Sequence, residues 1–184
     1  MLRLLKLKTP FLFIILTVPW VLTIVSRYYY PDLSMIYNVL LFTIFLLWFI
    51  GLDAELMKRI PLKIKPSNTL FLINIFLIYL GYCALAILLD PGESIHVTGF
   101  ATLPVLYIFY AWFSIYNHLS KLLSYSEDET EVPFNKRVGD MILFFFFFIG
   151  VWWLQPRIKE VLNKPQITRQ KYVGIRERED LKYQ

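Results

Sequence analysis

Residues 141–154 read MILFFFFFIGVWWL, from Met141 to Leu154, and the way this stretch meets a bilayer decides the fold. It holds 14 residues and no charge. As a helix rising about 1.5 Å per residue it would be about 21 Å long, short of a hydrocarbon core of roughly 30 Å. Apolar runs of about 10 to 14 residues belong to re-entrant, interfacial or buried segments rather than to ordinary spans.

Outward from this stretch, the chain reads as one whose solvent is lipid. Of its 184 residues, 57% are hydrophobic and 18% aromatic. The charged residues fall in blocks between long uncharged runs, whereas a soluble domain spreads them along amphipathic elements. Four runs are long enough, or nearly so, to cross a bilayer as helices with every backbone group paired internally: about residues 10–26, 34–51, 70–89 and 97–117.

The first run, PFLFIILTVPWVLTIVS, follows Arg3, Lys6 and Lys8 as a signal peptide would. It lacks a small-residue cleavage site, and Tyr28-Tyr29-Tyr30 with Pro31-Asp32 stand in its place, so it reads as an uncleaved anchor with an aromatic belt. Pro19 is expected to kink it. The third run opens after Pro66-Ser67-Asn68-Thr69 and closes on Asp90-Pro91-Gly92, and the fourth continues in helical pattern through His118 to Tyr125. Short linkers, Pro31 to Leu33 and Asp90 to His96, imply antiparallel hairpins. No internal repeat or soluble domain is visible.

Charge arbitrates the fifth segment. With a cytoplasmic N-terminus and four crossings, the inner side holds Arg3, Lys6, Lys8, Lys58, Arg59, Lys63, Lys65, Lys121, Lys136 and Arg137, and the outer side holds Arg27. The tail adds eight basic residues: Arg157, Lys159, Lys164, Arg169, Lys171, Arg176, Arg178 and Lys182. A segment that dips in and returns gives 18 inside against 1 outside, and one that crosses gives 10 against 9. The positive-inside bias favours the first. The expected fold is therefore an all-α membrane bundle: four transmembrane helices over residues 1–135, an aromatic re-entrant or in-plane segment over 136–163, and a charged cytoplasmic tail over 164–184. Five spans is the alternative, with Asp140 and Gln155 at the ends of a short crossing. Gly150 is expected to turn the re-entrant hairpin and Pro156 to redirect its exit.

Chemistry is sparse. His96 and His118, at opposite ends of the fourth run, are separated by 22 residues, about 33 Å, too far to share one metal or haem within a monomer. Cys83 stands alone and reads as a small buried side chain. Asp53, Glu55, Asp90 and Glu93 fall outside bilayer depth. Glu127-Asp128-Glu129 with Glu131 reads as a solvated loop or a docking patch for a basic partner. No hydrolase, zincin, P-loop or dinucleotide fingerprint is present, so no catalytic residue, metal or cofactor is expected.

Asn38, Asn74, Thr102 and Asn117 are the candidate intramembrane polar residues, as structural glue or as a polar pathway. With no intramembrane charge, proton-coupled transport is disfavoured. Gly81, Cys83, Ala84 and Ala86 would allow a helix to approach closely. The tail mixes signs in Arg176-Glu177-Arg178-Glu179-Asp180 and reads as a solvated, topology-fixing segment or a contact for anionic lipid; nucleic acid is not expected.

Lys136-Arg137-Val138-Gly139-Asp140 followed by MILFFFFFIGVWWLQPRI resembles small multi-pass membrane proteins of Bacteroidota, in which a V-G-D entry leads through an aromatic run to an L-Q-P-R exit. The resemblance covers about 25 residues. It implies a bacterial inner membrane and no activity.

Three functions stay open. The first is a non-enzymatic scaffold or partner-binding subunit, docking a protein partner or a second copy through Asp140, Phe144, Phe148, Gly150, Trp152, Trp153 and Arg157. The second is a membrane-perturbing or pore-forming effector of a defence or toxin system, with Phe144 to Phe148 moving between in-plane and inserted states. The third is a small transporter or lipid-handling protein, which requires the polar residues to converge on one cavity.

Overall fold

The structure, a computed structural model, describes residues 8–29, 31–88 and 99–164. Among these there are six α-helices and no strand: α1 (Thr9–Tyr29), α2 (Pro31–Leu56), α3 (Thr69–Leu88), α4 (Thr102–Asp128), α5 (Phe134–Phe145) and α6 (Phe147–Asn163). A single 3₁₀ turn, Gly99–Ala101, leads into α4. His96, the linker Asp90 to His96 and the tail from residue 165 onward lie outside the described residues.

Local chemistry sets the helix ends. Pro31 opens α2, where its missing N–H and fixed φ suit the first helical position. The expected linker Pro31 to Leu33 is therefore helix. Asn68 precedes α3, as the Pro66-Ser67-Asn68-Thr69 signal implies, and Ser67 Oγ accepts from the Thr69 backbone N–H at 3.3 Å. α4 runs three residues beyond Tyr125 and stops where Glu129 turns left-handed at φ 56°, its N–H bonded to Tyr125 O at 3.0 Å.

Two helical stretches, Met35–Leu56 and Thr69–Ala86, are long and apolar enough to cross a membrane, or three if α5 and α6 together form one span. Their outward faces are apolar: Leu72, Ile73, Phe76, Leu77 and Leu80 of α3 are all exposed. A contiguous surface of this kind belongs against lipid or protein, not water. Inside, Trp48, Phe49 and Leu52 of α2 meet Phe71 of α3 and Ile115, Leu119 and Leu122 of α4 in one buried core. At Gly81, in the small patch on α3, no helix approaches closely, since a Cβ there would meet open space.

α5 and α6 form a bent pair. Residues 141–154 do not make one straight helix. The chain breaks at Phe146 (φ −87°, ψ 54°), and Phe134–Phe145 and Ile149–Asn163 are bent by 119°. The expected turn at Gly150 is thus displaced to Phe146. Gly150 instead lies where the arms touch: a Cβ there would stand 1.8 Å from the Leu143 carbonyl oxygen and 2.6 Å from its carbon. Only glycine lets the two backbones come this close. Pro156 sits inside α6, which continues to Asn163, so the exit is not redirected there. The tip docks by Phe147, whose ring lies 5.3 Å from Phe45 and 5.0 Å from Trp48 of α2, while Phe144, Val151, Leu154 and Ile158 are buried below it.

Candidate functional site

The C-terminal ends of α2, α4 and α6 meet at one pole of the bundle. Arg59, just past α2, donates to Glu55 O at 2.6 Å and to Leu162 O near the end of α6 at 3.0 Å. Lys164 donates to Glu127 O at 2.7 Å and Ser126 O at 3.4 Å, supplying a cation to the α4 terminus, where helix dipoles favour one.

Arg157 clamps the hairpin at this pole. Its Nε and Nη2 donate to Glu127 at 2.8 and 2.6 Å, and its Nη1 and Nη2 donate to the two carboxylate oxygens of Asp140, the Nη2 bond at 3.0 Å. Asp140 also accepts from Ser124 Oγ at 3.2 Å. Hydrogen bonding to Glu127, and then to Asp140, raises the Arg157 pKa above its already high ordinary value. The planar fork suits this double engagement. It fastens both hairpin arms to the end of α4.

A second polar cluster lies beside it. His118 Nε2 is 2.8 Å from Asp53 Oδ1, Asn68 Nδ2 donates to Asp53 Oδ2 at 3.3 Å, and the His118 ring stacks on Phe71 at 4.7 Å. Asp53 is 2% exposed. Asp53, expected beyond the end of the second run, is instead part of α2, which extends to Leu56 and carries it into the bundle. His118 is likewise an interhelical partner.

The residues singled out from sequence separate into groups. Asp140 and Arg157 are joined; Gly150 and Phe144 lie inside the hairpin packing. Trp152, tilted on Phe13 of α1 at 5.6 Å, and Trp153, 60% exposed, face outward. Phe148 belongs to the first turn of α6, and its side chain lies outside the described residues. The four polar residues do not converge. Asn74, fully buried, accepts from Tyr107 OH at 2.8 Å; Thr102 donates to Gly99 O at 2.7 Å; Asn117 accepts from Arg137 Nη1 at 3.3 Å; Asn38 lines a cavity between α2, α3 and the hairpin tip.

That cavity measures about 490 Å³ and is walled by Phe42, Tyr82, Trp112, Tyr116 and Phe145 to Phe147. A groove of about 560 Å³ between α4 and α5 shares Trp112, Tyr116 and Phe145 with it, and adds Phe109, Phe113, Met141 and Ile142. Below the groove lie Asn117, Lys121 and Arg137, with both cations over the Tyr125 ring, at 5.3 and 6.0 Å. Burial, then Glu131, pushes the Tyr125 phenol up, and Arg137 opposes this, so the ring meets the cations neutral.

Ser124, Asp53, His118 and Arg137 were missed as site residues, and Glu127, expected in a solvated loop or a docking patch for a basic partner, lies in the last turn of α4 and takes Arg157 of its own chain. One signal was available: Asp53 follows the second run and His118 ends the fourth, so both fall at the same depth. For Glu127 the sequence offered a basic partner but not its identity, because Arg157 reaches it only when the chain doubles back. Among the described residues no three His, Cys, Asp or Glu side chains gather as a metal site. Comparison with models of known protein families, with curated proteins and with solved structures found no match.

Proposed function

We propose that the chain is a multi-pass membrane protein in which α1 to α4 cross the bilayer and the α5–α6 hairpin enters from the cytoplasmic face and returns to it. It acts there as a non-enzymatic scaffold or partner-binding subunit of a bacterial inner membrane. The observation that carries this reading is the Arg157–Asp140 pair, which joins residues 17 positions apart. On a straight helix they would lie about 25 Å from each other, most of the thickness of the hydrocarbon core. As a pair on Glu127, they bring both arms back to one end of α4. The lengths of α1 and α4, 21 and 27 residues, correspond to about 31 and 40 Å, enough for crossings.

Docking falls to the outward face of α6, where Ile149, Trp152 and Trp153 are exposed at helical spacing. Aromatic residues in such a cluster are the side chains most enriched at interface hot spots. The transporter reading loses support because Asn74, Thr102 and Asn117 each bond a different partner and none of them lines the cavity that Asn38 lines. The effector reading requires two states of similar energy, whereas the arms are held by the Arg157 clamp and the Gly150 contact.

Affinity capture from native membranes, with a tag on the C-terminal tail, tests this. A stoichiometric membrane-protein partner, or a second copy, is expected with the natural sequence and lost with Trp152→Ala/Trp153→Ala. A clean monomer, or unchanged capture by the double variant, overturns it.

A further inference from the structure

Arg137 is a buried cation whose bonded acceptors are neutral. It is 8% exposed, and among the described residues it forms no ion pair; its bonded acceptors are Val132 O at 3.1 Å and Asn117 Oδ1 at 3.3 Å, both neutral. The Phe134 and Tyr125 rings lie 5.8 and 6.0 Å from it. Glu131 acts on the same Tyr125 ring but makes no direct pair with Arg137, so the guanidinium has room for an anion supplied from outside the chain. Lys121, over the same Tyr125 ring, adds a second cation.

The place of this pole indicates which anion. Helical spacing of three to four residues runs Phe109, Phe113, Asn117 and Lys121 down one stripe of α4, and Phe145, Met141 and Arg137 down one stripe of α5. The upper members of both stripes line the apolar groove of about 560 Å³, and the lower members form the cationic pole. A site of this size suits one chain-like apolar ligand. An apolar slot ending in a cationic pole matches an anionic phospholipid, with an acyl chain above and a phosphate below.

We propose that the groove between α4 and α5 binds one anionic phospholipid, its acyl chain against Phe113, Tyr116 and Ile142 and its phosphate held by Arg137 and Lys121. The inference rests on the membrane reading above, because the bilayer supplies the occupant.

The full-length protein reconstituted in phosphatidylcholine vesicles gives the test. Lipids with brominated chains quench a tryptophan they touch, and Trp112 is isolated as the difference between the natural sequence and Trp112→Phe. Brominated phosphatidylglycerol should quench Trp112 at a lower mole fraction than brominated phosphatidylcholine, by about fivefold for each cation engaged. Lys121→Gln, at a part-exposed position, should reduce that preference about fivefold without disturbing the core, and Arg137→Gln should reduce it at least as far. Equal quenching by the two headgroups, or an unchanged preference in Lys121→Gln, overturns the site. Displacement by inorganic phosphate would assign the pole to a free anion and overturns the lipid reading. Protein that fails to enter vesicles at all overturns the membrane reading with it, which separates the two failures.

Discussion

Gly150→Ala should open the hairpin, and Gly139→Ala should not. At Gly150 the added Cβ would stand 1.8 Å from Leu143 O, and a tolerable contact requires at least 3.0 Å, so the arms must part by more than an ångström. That displacement falls between the buried Phe144 and Val151 and loosens the tip around Phe147. Overpacking of this kind costs about 1–3 kcal/mol, and an obstacle made of backbone places it at the upper end. Alanine recovers about 1 kcal/mol of helix propensity, leaving a net loss of about 2 kcal/mol. For a chain of this length the loss corresponds to a midpoint about 4–8 °C lower. Gly139 is the control: it lies inside α5 on an exposed face with nothing within 4 Å of its Cβ position, so only the propensity gain remains. Thermal unfolding of the detergent-solubilised variants, followed by near-UV circular dichroism, should move in opposite directions for the two substitutions. A Gly150→Ala midpoint equal to or above that of the natural sequence would refute the close-contact argument.

Three further outcomes follow from the polar contacts. Arg157→Lys keeps the charge but cannot serve Glu127 and Asp140 together, so it should cost about 1 kcal/mol in chemical denaturation, much as Arg157→Gln does; full stability with lysine would show the fork to be dispensable. Asp53→Ala leaves His118 and Asn68 without their acceptor and should cost about 1–3 kcal/mol, and a double-mutant cycle with His118→Ala should return a coupling of at least about 0.5 kcal/mol. Asn74→Leu removes the bond from Tyr107 and should cost about 0.6 kcal/mol, since hydrogen bonds between helices in lipid are worth little on average; a loss several times larger would mean that Asn74 holds more than this one bond.

The helices were legible because an apolar run of about 20 residues has few alternatives to a helix. The run over 34–51 appears within α2, and that over 70–89 appears in α3 as far as the described residues go, to Leu88. Their ends were less legible: Pro31 reads equally as a loop residue or a first helical residue, and only the structure distinguishes them. The aromatic stretch shows the same division. Its shortness and the distribution of basic residues marked 141–154 as unlike an ordinary span, yet the break falls at Phe146, in the middle of five identical residues where no turn-forming side chain marks it. Gly150, the conspicuous residue, serves close packing instead. The polar pole was hidden because its pairs are distant in sequence: Asp53 and His118 are 65 positions apart, and Glu127 and Arg157 are 30 apart. Each of these residues looks like an ordinary solvated charge until the fold brings its partner to it.

Whether the α5–α6 hairpin returns to the face it entered is read by the labelling of two cysteines. Glu129→Cys, just before α5, and Asn163→Cys, at the end of α6, are both exposed, and each is placed alone on a Cys83→Ala background in intact cells or sealed vesicles of known orientation. A membrane-impermeant thiol reagent should reach both from the cytoplasmic side and neither from the outside. Labelling from opposite sides would mean that the segment crosses, and a re-entrant hairpin could not be retained.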